Sequence, residues 1–277
     1  FFINWLVRAR ERSALPRGSA PYKLPKGRRV NEMKLLAVNF LVILGFHYGK
    51  PYVAPVLSVC SRNDPNLEQC IINVVERIKP NVAAGDYGDG RQAPKMDPVY
   101  FERLYITNGP GLQLNLTDVT ITGNSKFEVK RIRYNLDQRQ FNITAVIPTL
   151  SIDGKYDLSM VILLMRAVGK GDFHLTLTDT VANLKMEYQV VPSGGKNYVR
   201  FNPIEMKLRF PKARFDLTGL FNGDKELEAF GNRAINENPN LLLDEVKPVF
   251  EKQLARIFTD ISNSVVEGAE ESELLPP

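Results

Sequence analysis

Histidine and cysteine are scarce in this chain, which limits the chemistry it can support. The 277 residues include two histidines and two cysteines, and His174 is the only histidine after residue 54. A zinc site usually takes about four ligands, and a serine hydrolase triad would depend on His174 alone. Acidic residues are plentiful, but nothing in their spacing recommends a paired-carboxylate hydrolase. We therefore predict no catalytic residue, no metal and no cofactor, and expect a protein that is not an enzyme.

Acidic residues are rare only at the start of the chain. The whole sequence has 36 basic and 31 acidic residues and a net charge of +5. Residues 1–54 hold ten of the basic residues and two of the acidic ones, so the remainder carries a net charge of −3. The basic character therefore belongs to the leader, and we predict no nucleic-acid partner for the rest of the chain.

Long apolar runs are also absent. The run from Leu35 to Phe46 has 12 residues, whereas a membrane-spanning helix needs about 20. Behind Met33 and Lys34, its length is typical of a secretory signal peptide, with a buried core helix as the alternative. We predict a signal peptide over residues 33–54, cleaved somewhere between Gly45 and Ser58, and an extracellular, secreted product.

The remaining segments follow from that leader. Residues 1–32 are basic, contain scattered prolines and show no sustained period, so we expect an upstream extension that is unstructured or not translated in the natural protein. A transit peptide or a nucleic-acid arm is the alternative. Residues 55–277 are predicted to form a single domain, which we expect to be a monomer.

Two features of the mature part are typical of secreted proteins. Cys60 and Cys70 are the only cysteines, and in an oxidising compartment they are expected to form one disulfide. Asn115 and Asn142 each begin an Asn-x-Thr tripeptide, which predicts glycosylation at outward-facing strand positions.

Alternating apolar residues dominate the middle of the chain. From Leu112 to Phe210, period-two runs are separated by turns such as NGPG, DGK and SGGK. This pattern predicts an antiparallel sheet with one apolar face. The phase of the alternation shifts along several strands, which predicts β-bulges and strong curvature.

Helical periodicity flanks the sheet. Residues Asp64 to Lys79 predict a helix with Asp64 as N-cap, Pro65 at the first helical position and Pro80 at its end. With Asn238 as N-cap and Pro239 at the first helical position, apolar residues at three- and four-residue spacing predict an amphipathic helix of about 24 residues, from Leu242 to Val265. The chain is thus predicted to be α+β, with a long C-terminal helix.

The order of several segments resembles the insect takeout and juvenile-hormone-binding protein family across nearly all of residues 55–277. The segments, in order, are CSRNDPNLEQCI, KMDPVYFERL, LTDVTITGNSKFEVKRIRYNLD, IPTLSIDGKYDLSMVILLMRAVGKGDFHLTLTD and LFNGDKELEAFGNRAINEN. Two departures stand out. No cysteines remain for the second disulfide usual in juvenile-hormone-binding proteins, which places the chain closer to the takeout branch, and Pro239 stands where the family commonly has Trp.

The resemblance implies a fold and a function. The fold would be TULIP-like, similar to a bactericidal/permeability-increasing-protein module, with the long helix wrapped by a highly curved antiparallel sheet. The function would be that of a secreted carrier holding a juvenile-hormone-like terpenoid, a fatty acid or another long apolar molecule in an internal tunnel.

We expect one wall of that tunnel on the long helix, although a purely structural core is the default interpretation of any apolar stripe. The predicted ligand-binding residues are Val246, Phe250, Leu254, Ile257, Phe258 and Ile261. The alternative function is defence-type binding to a membrane or pathogen surface. Membrane contact is possible through a basic cluster (Lys207, Arg209, Lys212 and Arg214), but the net charge of −3 does not favour it.

Overall fold

An antiparallel sheet forms most of the fold, as the alternating pattern predicted. The computed structural model describes residues 57–88, 90, 93–108, 111–162 and 165–277, and the backbone alone of residues 108, 162 and 165. The predicted extension 1–32 and signal peptide 33–54 lie outside these ranges. The described strands are β1 (Val99–Asn108), β2 (Leu112–Thr122), β3 (Glu128–Asn135), β4 (Gln140–Ile162), β5 (Met165–Ser193), β6 (Lys196–Phe201), β7 (Glu205–Arg209) and β8 (Lys212–Leu217).

The strand order runs β1–β2–β4–β5–β6, while β3 pairs with β4, and both β7 and β8 pair with β5. Each long strand therefore has different neighbours along its two halves. β5, for example, pairs with β8 over residues 173–178 and with β7 over residues 181–185. The short strands end where β4 and β5 change direction, so the long pair carries the sheet around a corner.

The corner is a kink that β4 and β5 share at Pro148 and Asp179, where the pairing is interrupted but the register on both sides is the same. On β5 the buried residues are Leu175 and Leu177 before the corner, and Thr180 and Ala182 after it. The phase changes because Asp179 adopts a φ of 57°, which adds one residue between the two inward-facing sets.

β-Bulges, which bend a strand and increase its twist, occur where β2 and β3 pair with β4: the register shifts between Thr117 and Thr120 and between Val129 and Arg131. The predicted curvature is therefore confirmed.

The first described helix, α1, spans Leu67–Ala84. It begins later than predicted, because Asp64 accepts a hydrogen bond from the Asn66 N–H (2.8 Å) in the turn before the helix. The prediction that Pro80 ends the helix is wrong. A proline removes only one backbone donor, and α1 continues through Pro80 until Gly85, whose φ of 71° closes it. A side chain at Gly85 would meet the Ala93 carbonyl oxygen at 2.5 Å.

Three more helices follow the sheet: α2 (Lys225–Glu237), α3 (Asn240–Val265) and the short α4 (Glu271–Leu274). The long helix α3 is 26 residues long and continues through Pro248, so the predicted long C-terminal helix is confirmed. The prediction that Asn238 caps it is wrong. Asn238 instead ends α2, a helix that the apolar pattern did not predict, and the Pro239 carbonyl accepts the first bonds of α3 from Leu242 and Leu243.

Helix side chains form hydrogen bonds with the free edges of the short strands. On β8, Asn232 of α2 accepts from the Leu217 N–H (2.9 Å) and donates to the Leu217 carbonyl (2.8 Å). Asn236 does the same for Phe215, at 2.8 Å for each bond. An amide side chain carries both a donor and an acceptor, so each asparagine replaces one residue of a neighbouring strand.

The same arrangement recurs at other edges. Asn263 of α3 bonds both backbone groups of Phe201 on β6 (2.8 and 3.2 Å). Glu251, also on α3, is 8% exposed and accepts from the Leu208 N–H of β7 at 2.8 Å. Glu68 of α1 accepts from the Ile132 N–H of β3 at 2.8 Å. The apolar spacing alone would place Glu251 on the polar side of its helix, but its carboxylate is buried because it bonds the edge of β7.

The length and composition of the described helices show whether any of them could cross a membrane. Within the residues that the structure describes, no helix combines the length and the apolar composition needed to cross a bilayer.

Replacing Asn232 should show what these edge contacts contribute. Asn232→Ala leaves the Leu217 N–H and carbonyl without their partner, so we expect the free energy of unfolding to fall by about 1–3 kcal/mol in urea denaturation. The control is Arg233→Ala at the next, exposed position, where the expected change is about 0.5 kcal/mol or less. Equal losses for the two variants would contradict this role of Asn232.

Candidate functional site

An internal cavity of about 360 Å³ lies between the concave face of the sheet, α1 and α3. This volume falls in the range of about 300–1,000 Å³ that is usual for small-molecule sites. The sheet contributes side chains from the kinked region of β4 and β5, among them Ala145, Ile147, Leu150, Leu177, Thr180 and Ala182. The cavity therefore lies at the corner of the sheet.

One wall is formed by α3, where ligand contact had been predicted. Five of the six predicted residues line the cavity: Val246, Phe250, Leu254, Phe258 and Ile261. The first four recur every four residues and so follow one side of the helix. Ile257 is not a lining residue and packs instead against the surrounding apolar core. Whether these side chains bind a ligand stays a prediction.

A further wall is formed by α1, to which the sequence pattern gives no functional role. Ile71, Val74, Val75, Ile78 and Val82 all line the cavity. Their spacing was visible as an amphipathic stripe, but a stripe does not reveal whether it faces packed side chains or an unfilled space. The Cys60–Cys70 disulfide is present and ties the preceding segment to this helix. Leu57 of that segment also reaches the cavity.

The cavity is long and narrow. Its lining residues on α3 extend from Leu243 to Val265, which corresponds to about 33 Å at 1.5 Å per residue. A volume of about 360 Å³ over that length describes a channel rather than a round chamber. Such a space suits an extended molecule better than a compact one.

Almost all the lining is apolar. Of the 41 lining residues that the structure describes, only Asn124, Thr180, Tyr188, Ser262 and Glu271 carry a side-chain oxygen or nitrogen atom. Asn124 donates from its amide to the Ile121 carbonyl at 3.1 Å, so its donor is already used within the fold. An occupant would therefore be held mainly by removal of its apolar surface from water.

A cluster of charged and polar groups lies where the two ends of the described chain meet. Glu271 of α4 accepts from the Tyr188 hydroxyl (2.9 Å), from Arg139 Nε and Nη2 (3.2 and 3.3 Å) and from Arg62 Nη2 (3.3 Å). The Arg62 N–H also donates to the Pro276 carbonyl at 2.6 Å. We call Glu271, Tyr188, Arg139 and Arg62 the Glu271 cluster.

The Glu271 cluster has a clear electrostatic signature. Burial alone would raise the pKa of Glu271, but the hydrogen bonds from Arg139 and Tyr188 and the charges of Arg139 and Arg62 outweigh it and lower that pKa below its usual value. Burial, together with the bond to Glu271, raises the pKa of Tyr188 to about 12. Glu271 is therefore ionised at neutral pH, and Tyr188 is protonated and donates to it.

The remaining candidate residues lie away from the cavity. His174 is exposed and bonds through Nδ1 to Asp153 (2.6 Å) and through Nε2 to Thr176 (3.0 Å). No group of three or more histidine, cysteine or carboxylate side chains that could hold a metal ion occurs in the described part of the chain. Asn142 is exposed, while Asn115 is half-buried, on the face of β2 opposite Leu114 and Leu116. Glycosylation of either stays a prediction.

Comparison with known proteins finds a matching family and several similar proteins. The family described as haemolymph juvenile hormone binding protein (JHBP) matches residues 38–276. The circadian clock-controlled protein daywake of Drosophila melanogaster is 24% identical over 186 residues, which are 63% of this chain and 72% of daywake. A Schistocerca gregaria protein named for β-carotene binding is 21% identical over 218 residues, which are 77% of this chain and 86% of that protein.

A solved structure supports the fold. The crystal structure of Takeout 1 from Epiphyas postvittana superposes with a TM-score of 0.70 and 22% sequence identity, and the match covers 80% of this chain and all of that one. The predicted architecture, a long helix wrapped by a highly curved antiparallel sheet, is thereby confirmed.

Neutralising Glu271 tests the cluster at the end of the cavity. Because the folded-state pKa is lowered, the ionised carboxylate stabilises the fold above its usual pKa of 4.5, and this contribution is lost as the pH falls through the folded-state value. We expect Glu271→Gln to lower the free energy of unfolding by about 1–2 kcal/mol at pH 7. The difference from wild type should shrink toward pH 3.

The control is Glu267→Gln, which removes an exposed carboxylate four residues earlier in the chain. It should leave the urea midpoint nearly unchanged at both pH values, as most surface substitutions do. If the two glutamine variants behave alike at pH 7, the cluster does not stabilise this end of the fold.

Proposed function

The chain belongs to the haemolymph juvenile hormone binding protein family, and from this premise we propose that it is a secreted, non-catalytic carrier of one elongated apolar ligand. The observation that carries the proposal is the long apolar cavity between α1, α3 and the corner of the sheet. The ligand class is a terpenoid, a fatty acid or another long-chain molecule. The family description and the name of the Schistocerca gregaria relative both refer to ligands of this kind.

Burial of apolar surface accounts for the binding energy. Each buried CH₂ contributes about 0.8 kcal/mol, so a ligand with about 15 apolar carbons would gain roughly 12 kcal/mol before costs. Loss of translational and rotational freedom and ordering of the ligand offset at least several kcal/mol of this gain. A dissociation constant in the micromolar to nanomolar range is therefore expected.

Defence-type binding to a membrane or pathogen surface is less well supported. Of the four cations considered for it, Lys207 pairs with Glu251 at 3.2 Å and Lys212 pairs with Asp179 at 3.1 Å. Paired cations contribute less to attraction toward an anionic surface. Half of the basic cluster therefore already has acidic partners within the fold.

Two small residues of the cavity wall offer positions where a larger side chain could block ligand binding. Ala145 and Ala182 face each other across β4 and β5, and both line the cavity. Ala182 also belongs to a small apolar cluster with Met206 and Leu208, against which Leu254 and Phe258 of α3 pack. A bulky residue placed here would take up cavity space beside that cluster.

We predict that Ala182→Phe raises the dissociation constant for a fluorescent fatty acid at least about tenfold, because the ring occupies ligand space. The matched control is Asn183→Phe, which places the same ring on the exposed face of β5 at the next residue and should leave binding unchanged. Circular dichroism confirms that each variant is folded. A folded Ala182→Phe protein that binds like wild type would refute the carrier proposal at this cavity.

Native mass spectrometry tests the proposal without an assumed ligand. Protein purified from its source in mild buffer should carry an apolar molecule that organic extraction releases and that matches the mass difference between bound and free protein. The Ala182→Phe variant, produced under the same conditions, should carry less of it. Consistent recovery of ligand-free wild-type protein would count against a carrier.

A further inference from the structure

One polar atom inside the cavity has no hydrogen-bond partner. Thr180 is fully buried, at 0% exposure, and its side chain lines the cavity. Among the described residues, its Oγ1 has no hydrogen-bond partner. Burying a hydroxyl group without a partner costs roughly 1–3 kcal/mol, so folding alone gives no reason for it.

This hydroxyl faces inward because of the kink in β5. Asp179, with its φ of 57°, separates Leu177 from Thr180 and turns Thr180 inward. Its cross-strand partner is Ile147, and the next inward-facing pair is Ala145 and Ala182. The surroundings are thus apolar, and valine has nearly the same shape as threonine. A purely structural requirement at this position would be met better by valine.

The position of Thr180 along the cavity is internal. On β5 the lining residues extend five residues in one direction, to Leu175, and eight in the other, to Tyr188. At 3.3 Å per residue these intervals are about 16 and 26 Å along the strand. In a ligand that extends along both of these intervals, the group that bonds Thr180 therefore lies within the chain and not at either end of it.

We propose that Thr180 is a specificity-determining residue whose hydroxyl group bonds a neutral oxygen atom carried within the chain of an otherwise apolar ligand. The inference rests on the proposed carrier function and narrows its ligand class. The oxygen belongs to a ketone, ether, epoxide, ester or hydroxyl group. A carboxylate is not suited to this point, because burying a charge without a counter-ion costs far more than one hydrogen bond returns.

The test compares two probes that differ in one oxygen atom. Hexadecane and hexadecan-6-one are titrated against protein loaded with N-phenyl-1-naphthylamine, whose own affinity is first measured for each variant. Thr180→Val should weaken hexadecan-6-one about fivefold, as expected for one neutral hydrogen bond, and should leave hexadecane unchanged or slightly tighter. Thr180→Ser keeps the hydroxyl and should preserve the preference for the ketone.

The ligand-free protein gives a second readout. The melting temperature of the ligand-free Thr180→Val protein should stay the same or rise, because the substitution removes an unpartnered hydroxyl group.

Each outcome bears on the proposal. Equal losses for hexadecane and hexadecan-6-one, or a lowered melting temperature, would assign Thr180 a structural role and overturn it. An unchanged ketone affinity in Thr180→Val would show that a water molecule or the fold satisfies the hydroxyl, which also overturns it. If neither probe displaces N-phenyl-1-naphthylamine from wild-type protein, the carrier function itself fails, and the two failures are thus distinguished.

Discussion

The unpaired edges of the short strands are the constraint on which this fold depends. A curved sheet leaves backbone donors and acceptors exposed where strands end, and buried groups of this kind need partners. Here the partners come from helices, as in the bonds of Asn232 to Leu217 and of Asn263 to Phe201. These bonds fix α2 and α3 against the sheet along their sides.

The hydrogen bonds between helix side chains and strand edges explain how a helix can border an unfilled space. An amphipathic helix is normally held by close packing of its apolar face, and voids beneath it are costly. In this protein α3 is anchored through Glu251 and Asn263 at the strand edges, and the cavity-lining Phe250 and Phe258 lie close to these anchors on the helix. Hydrogen bonds to the strand edges therefore hold the helix in place beside a space that side-chain packing leaves open.

The sequence predicted those parts of the fold that have a simple period. The antiparallel sheet, the bulges and the long helix α3 all followed from apolar spacing. Helix α2 did not, because its buried side is short and contains Gly231, a poor helix residue. A side chain at that position would meet the Phe221 ring at 2.9 Å, so the glycine serves a tertiary contact that no local pattern reveals. The burial of Glu251 was missed for the same reason.

The site was only partly accessible to the same reasoning. Five residues of α3 lie on the cavity wall as expected, but the α1 wall and Thr180 depend on which segments meet in space. The sequence around Thr180 shows ordinary strand alternation, and only the kink at Asp179 turns its side chain inward.

The Glu271 cluster has a kinetic consequence for a bound guest. Leu274 and Leu275 of the C-terminal segment line the cavity, and the bonds from Arg62 and Arg139 hold that segment in place. A guest that leaves past this segment must wait for those bonds to open together. Residence time would then be governed by fraying of the chain end rather than by the strength of binding, so cargo could be retained for long periods even at modest affinity.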